Sequence, residues 1–230
     1  MRRIGQTLGI LGVALAAAAC GSSGSGTVPT QSAAPLQSAA ADHMRLDMMR
    51  LRLDDLGPNW RRESAALGSS DSSKCDPRPK DVKITAGSWK SRGVSYGFGT
   101  TAQIHSDAIV FASEADAQKT LAANMKPSVI RCVKRELVKE FRSEKSSVKL
   151  LGISTSVLHP NRVGDQLSGI RLKLNLAKGK QPFKFFLDAF IVRQDRALAE
   201  FTYMNAFHPV PSSTEYTLAQ AIAQRGALSQ

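Results

Sequence analysis

The sequence predicts an α+β fold in which a single antiparallel β-sheet is covered by helices on one face. Three observations predict it. The elements run helix, strands, helix pair, four strands, helix, with strands and helices largely segregated along the chain. The connections between the last four strands are short, as antiparallel neighbours need. Ile170, Leu172, Leu174 and Leu176 alternate with Arg171, Lys173 and Asn175, which gives that strand one buried and one wet side.

Taken in order, the first element is a helix over Met44 to Leu56, where Met44, Leu46, Met48, Met49, Leu51, Leu53 and Leu56 recur at helical spacing and Gly57-Pro58 stops the pattern. Residues 63–81 are rich in Ser, Gly, Asp and Pro and read as a loop. Val82 to Ala86, Val94 to Phe98 and Gln103 to Phe111 read as strands punctuated by glycine. Ser113-Glu114-Ala115-Asp116 places an N-cap hydroxyl three residues before a carboxylate, which opens a helix carrying Ala117, Leu121 and Met125. Pro127 interrupts it, and a second helix follows with Val129, Val133, Leu137 and Phe141 on one face.

The remaining third is a β-meander. Val148 to Leu158 is its first strand and the Ile170–Leu176 alternation its second, closed by a turn at Lys178-Gly179-Lys180. Phe183 to Val192 is apolar on both faces and belongs in the middle of the sheet. Gln194-Asp195-Arg196 turns the chain into Ala197 to Phe207. Ser212-Ser213-Thr214-Glu215 caps a last helix with Leu218, Ile222 and Leu228 facing inward.

The amino terminus has a different character. Arg2 and Arg3 precede an uncharged apolar stretch, and Ala17-Ala18-Ala19-Cys20-Gly21 follows. This is an export signal with a small-residue processing site, and the apolar run is short of the ~20 residues a membrane span needs. Small residues before Cys resemble a bacterial lipobox. That resemblance implies cleavage after Ala19 and acylation of Cys20, leaving the protein lipid-anchored on the outer side of the cell membrane. The usual lipobox has Leu three residues before the Cys, where this chain has Ala17. An ordinary A-x-A cleavage, releasing a soluble protein with a free Cys20, is the competing outcome. Residues 21–41 carry no charge and no aromatic ring. Such a Gly/Ser/Ala/Pro stretch is a flexible tether of about 25 Å mean span. The organisation expected is therefore signal peptide 1–19, lipidated Cys20 and tether over 20–41, and an extracytoplasmic domain over 42–230.

Composition narrows the function. Arg2 and Arg3 leave with the signal, so 31 Lys and Arg fall to 29 against 19 Asp and Glu, a net charge of +10. Outside the cytoplasm, that charge points away from nucleic acid and toward an anionic ligand or surface, or to a merely solvated exterior. If lipid consumes Cys20, Cys75 and Cys132 remain, and in an oxidising space they form a disulfide worth roughly 4 kcal/mol or stay as two buried thiols.

Residues 126–149 hold eight Lys or Arg against three Glu. Arg131, Lys134, Arg135, Lys139 and Arg142 are the contacts expected for an anionic surface there, against the simpler reading of a wet helix face. His105 and Asp107, at i and i+2 with Gln103 beside them, share one side of a strand. They read as a base oriented by a carboxylate or as a polar, solvated face. No nucleophile elbow, zinc-protease motif, phosphate loop or calcium loop occurs, and nothing calls for a metal or cofactor.

Several segments together resemble small exported actinobacterial lipoproteins and the extracellular sensor domains of actinobacterial serine/threonine protein kinases. They are Leu53-Asp54-Asp55-Leu56-Gly57-Pro58-Asn59-Trp60, the helical stretch from Ala115 to Cys132, Val163-Gly164-Asp165 ahead of a strand, and Ile191-Val192-Arg193 ahead of Ala197-Leu198-Ala199. The resemblance implies a non-enzymatic domain that binds a ligand in a cleft. Those sensor domains typically carry two disulfides, and this chain can make one. The function expected is binding of a small or lipidic ligand between sheet and helices. The alternative is a module that regulates or tethers another envelope protein through its basic surface.

Overall fold

A computed structural model describes residues 39–63, 75, 77, 79–88, 93–99, 101–142, 148–158, 160 and 162–228, except for the side chains of Glu140 and Arg142. The signal peptide, Cys20, most of the tether and most of the 63–81 loop lie outside the described residues.

The fold class is the expected one. Eight strands form one open antiparallel sheet in the order β1-β3-β4-β8-β7-β6-β5, with β2 also pairing to β4. The strands are β1 (Arg61–Glu63), β2 (Ile84–Ala86), β3 (Val94–Phe98), β4 (Ala102–Phe111), β5 (Lys149–Leu158), β6 (Gln166–Lys178), β7 (Gln181–Gln194) and β8 (Ala197–Ala206). The helices are α1 (Ala39–Met49), α2 (Glu114–Asn124), α3 (Pro127–Arg142) and α4 (Ser212–Leu228). β5 to β8 make the predicted meander, and β7 lies between β6 and β8.

The helices are not confined to one face. Ile104, Ala108 and Val110 of β4, Ala197, Ala199 and Phe201 of β8, and Phe190 and Val192 of β7 form a core with Leu46 and Met49 of α1 and Leu218 and Ile222 of α4. Neighbouring residues on the same strands, Ile109, Phe111, Leu198 and Ile191, point the other way and pack on Ala117 and Leu121 of α2. Further along that second face, Leu172, Leu174 and Leu176 receive Val133, Leu137 and Phe141 of α3. The reason is visible in β4: Ala108-Ile109-Val110-Phe111 is an unbroken apolar run, buried throughout. Side chains alternate between faces, so such a run needs cover on both. Phe190 and Phe201 stack in the first core at 5.0 Å. Burying each ring contributes about 2–3 kcal/mol.

The largest departure from expectation lies at α1. α1 begins at Ala39, inside the stretch read as tether, and ends at Met49 rather than Leu56. Its start is held by a buried Asp42–Arg196 pair (Oδ2 to Nη1 3.1 Å) and by Arg45 against Asp195 at 2.9 Å, which composition does not announce. Its end is set where the Leu51 N–H donates to Ser106 Oγ and Tyr96 Oη donates to the Leu51 carbonyl. Leu53–Leu56 is then a separate 3-10 turn, fixed by Arg225 of α4 through Asp55. At the far end of α4, Leu228 is 80% exposed instead of facing inward.

Candidate functional site

The second face leaves a stretch of β3, β4 and β8 bordered by α2 at one end and by α3 over β6 and β7. Its side chains are polar. Strand register sets Asp107 opposite Glu200, His105 opposite Thr202 and Gln103 opposite Met204. On the other side of β4, Ser95 pairs with His105 and Gly97 with Gln103, and Glu63 of β1 follows across Ser95. Because facing residues on neighbouring strands project to the same side, these groups converge on one site.

Each member is held. Asp107 Oδ1 accepts from Arg50 Nη2 at 2.9 Å and from the Ala108 N–H at 2.8 Å. His105 Nδ1 lies 3.1 Å from Ser95 Oγ. Gln103 Nε2 donates to Glu63 Oε2 at 2.6 Å, while its carbonyl oxygen Oε1 is buried without a protein partner. Thr202 Oγ1 donates to Glu200 Oε1 at 3.4 Å. Gly97 is essential to this layout, since a Cβ there would run into the Glu63 carboxylate.

Burial shifts two titrating groups of the site. Burial raises the Glu200 carboxyl above its usual range, against the bond from Thr202 and with the help of the neighbouring Asp107 charge. Yet Glu200 is only partly shielded from water. Protein therefore surrounds Glu200 closely enough to disfavour its charge, while water still reaches it. Burial likewise lowers the His105 imidazole, outweighing the pull of Asp107, so the ring is neutral at pH 7.

Of the residues singled out in the sequence, His105 and Asp107 thus meet in one site, and Glu200, Ser95, Thr202 and Glu63 join them. The pair does not build a nucleophilic relay. Ser95 is 6% exposed and uses the ring nitrogen that a triad reserves for its carboxylate, and Asp107 Oδ1 is engaged by Arg50 and the backbone. Among the described residues, no group of three or more His, Cys, Asp or Glu is placed to hold a metal ion.

Cys75 and Cys132 form a disulfide, with Cα atoms 5.7 Å apart. It ties residue 75 to α3, the helix that borders the site. Of the expected basic contacts on α3, Arg135 and Lys139 are exposed and partly neutralised within the helix. Lys139 Nζ and Arg135 Nε both face Glu136 Oε1, at 2.7 and 3.8 Å. Arg131 is exposed and Lys134 half-buried, and the side chain of Arg142 is outside the described set. Among the described residues, no helix is long and apolar enough to cross a membrane.

Fold and site together define an α+β domain whose sheet carries a polar patch on the face that also packs α2 and α3, the second of which holds the disulfide. No protein-family model and no curated protein sequence matches the chain. Among solved structures it is similar to the extracellular domain of PknH from Mycobacterium tuberculosis, at 6% identity and a TM-score of 0.43, over 81% of this chain and 96% of that one. It is also similar to the Rv0999 ortholog from Mycobacterium smegmatis (11% identity, TM-score 0.34, 81% of this chain and 95% of that one). A third is LpqN, involved in cell envelope biogenesis of Mycobacterium tuberculosis (14% identity, TM-score 0.27, 63% of this chain and 75% of that one).

Proposed function

We propose that this protein is a lipid-anchored, extracytoplasmic, non-enzymatic binding domain whose polar sheet face forms a recess for a small polar ligand. The observation that carries the reading is the convergence of Glu200, Asp107, Gln103 and Glu63 on one stretch of the sheet, which the cores under α2 and α3 leave uncovered. Acceptors outnumber donors there, so the ligand presents N–H donors, most favourably on a positive charge. The anchor reading is supported by cysteine parity: once Cys75 pairs with Cys132, Cys20 is the thiol left over.

Two experiments test the two halves. Cys20→Ser should move the protein from the membrane to the soluble fraction and remove the acyl mass; unchanged fractionation contradicts the anchor. For the recess, the His105 ring resonances of residues 37–230 should shift with small alkylammonium and guanidinium compounds, and not with matched carboxylates. Glu200→Gln should abolish those shifts. Equal response to both classes, or an unaffected variant, would overturn the assignment.

A further inference from the structure

Charge is sorted along the sheet. At the end where β7 turns into β8, Asp42, Asp165 and Asp195 each face an arginine. At the opposite end, the described residues of 94–102, 148–158, 176–187 and 201–208 include neither Asp nor Glu. That end carries lysines instead. Lys178 and Lys180 flank the β6–β7 turn, Lys149 pairs in register with Ala177, and the Lys184 carbonyl accepts from the Phe207 N–H at 2.8 Å. All four lysines are exposed. Among the described residues, none of them makes an ion pair.

The same end exposes the ring of Phe207, which is 54% exposed and lies 6.4 Å from the ring of Phe183. Lysines beside a solvent-facing ring are the composition of an interfacial membrane contact, cations over anionic headgroups and the ring in the boundary layer. A dissolved polyanion would engage the lysines and leave the ring in water.

We infer that this end of the sheet docks on an anionic bilayer surface. The chain geometry permits it on the membrane that Cys20 would anchor to. α1 enters the domain at the far end, through Asp42 and Arg196. β7 has 14 residues, a span of about 46 Å at about 3.3 Å per residue. The 18 residues between Cys20 and Ala39 reach at most about 60–65 Å, enough to turn the lysine end toward the same lipid.

The test of the docking surface needs no acyl chain. Residues 37–230 form one compact unit and serve as the protein. Sedimentation with phosphatidylglycerol vesicles is compared with phosphatidylcholine vesicles and with dextran sulfate. Binding should favour phosphatidylglycerol and collapse in about 0.5 M salt, where the Debye length is only about 4 Å. Lys178→Glu/Lys180→Glu should weaken it at least tenfold, and Phe207→Ser should weaken vesicle binding while sparing dextran sulfate. Far-UV circular dichroism confirms that each exposed-site variant stays folded. Equal affinity for the two lipids, retention by dextran sulfate with no vesicle binding, or loss only in Arg131→Glu/Lys134→Glu on α3 would overturn the inference.

Discussion

Removing the disulfide should cost this domain about 4 kcal/mol. The bond joins residues 57 apart in sequence. Closing a loop of that size lowers the entropy of the unfolded chain by an amount equivalent to about 4 kcal/mol at 25 °C in the chain-entropy model. At about 2–4 °C per kcal/mol for a domain of this size, Cys75→Ala/Cys132→Ala should unfold about 8–16 °C below the wild type. Urea denaturation gives the cleaner measurement. If the stabilisation acts through the unfolded state, the freed chain expands and the m-value rises along with the loss of ΔG. Reduced wild-type protein should reproduce both changes. A loss below about 1 kcal/mol would refute the loop-closure argument. A full-sized loss with an unchanged m-value would place the effect in native packing around α3 instead.

Three other outcomes follow from single contacts. Glu200→Gln should stabilise the protein at pH 7, because a raised carboxyl pKa means the folded state pays to ionise it; the gain should vanish as pH falls below the usual value of 4.5, where both states are protonated. Asp42→Ala should cost about 3–5 kcal/mol by leaving Arg196 buried without its partner, with α1 losing hydrogen-exchange protection first. Burial alone would raise the Asp42 carboxyl, but its bonds to Arg196 and Thr85 and the field of Arg45 win and lower it. Its contribution is therefore present above about pH 4 and lost as pH falls further. Gly97→Ala should leave the melting temperature within a few degrees, since the flexible end of Glu63 can move aside, yet it should separate Glu63 from Gln103 and weaken binding in the recess.

The meander was the most legible part of the chain. Period-two alternation and turns such as Lys178-Gly179-Lys180 set both its strands and their pairing. The Ser113 cap was equally readable, and its hydroxyl accepts from the Asp116 N–H at 3.1 Å. β1 was not, because Arg61-Arg62-Glu63 is too short and too polar to show a period. Two-sided helix cover had a signal that a one-sided reading overlooks: the apolar run Ala108–Phe111 has no wet side. At the site, His105 and Asp107 are two residues apart and were found together. Glu200 is 93 positions away and arrives only through the β4–β8 register. Its own signal is a lone carboxylate inside Ala197-Leu198-Ala199-Glu200-Phe201, an otherwise buried segment, which asks for a reason to be there.

The proposed function is tested most directly by native mass spectrometry of the protein taken from its own envelope in mild detergent. The wild type should carry an acyl mass and a retained small basic or donor-rich molecule, and Glu200→Gln should keep the first and lose the second. A wild-type spectrum with no bound molecule, or one whose bound mass survives in Glu200→Gln, would contradict the assignment of the recess.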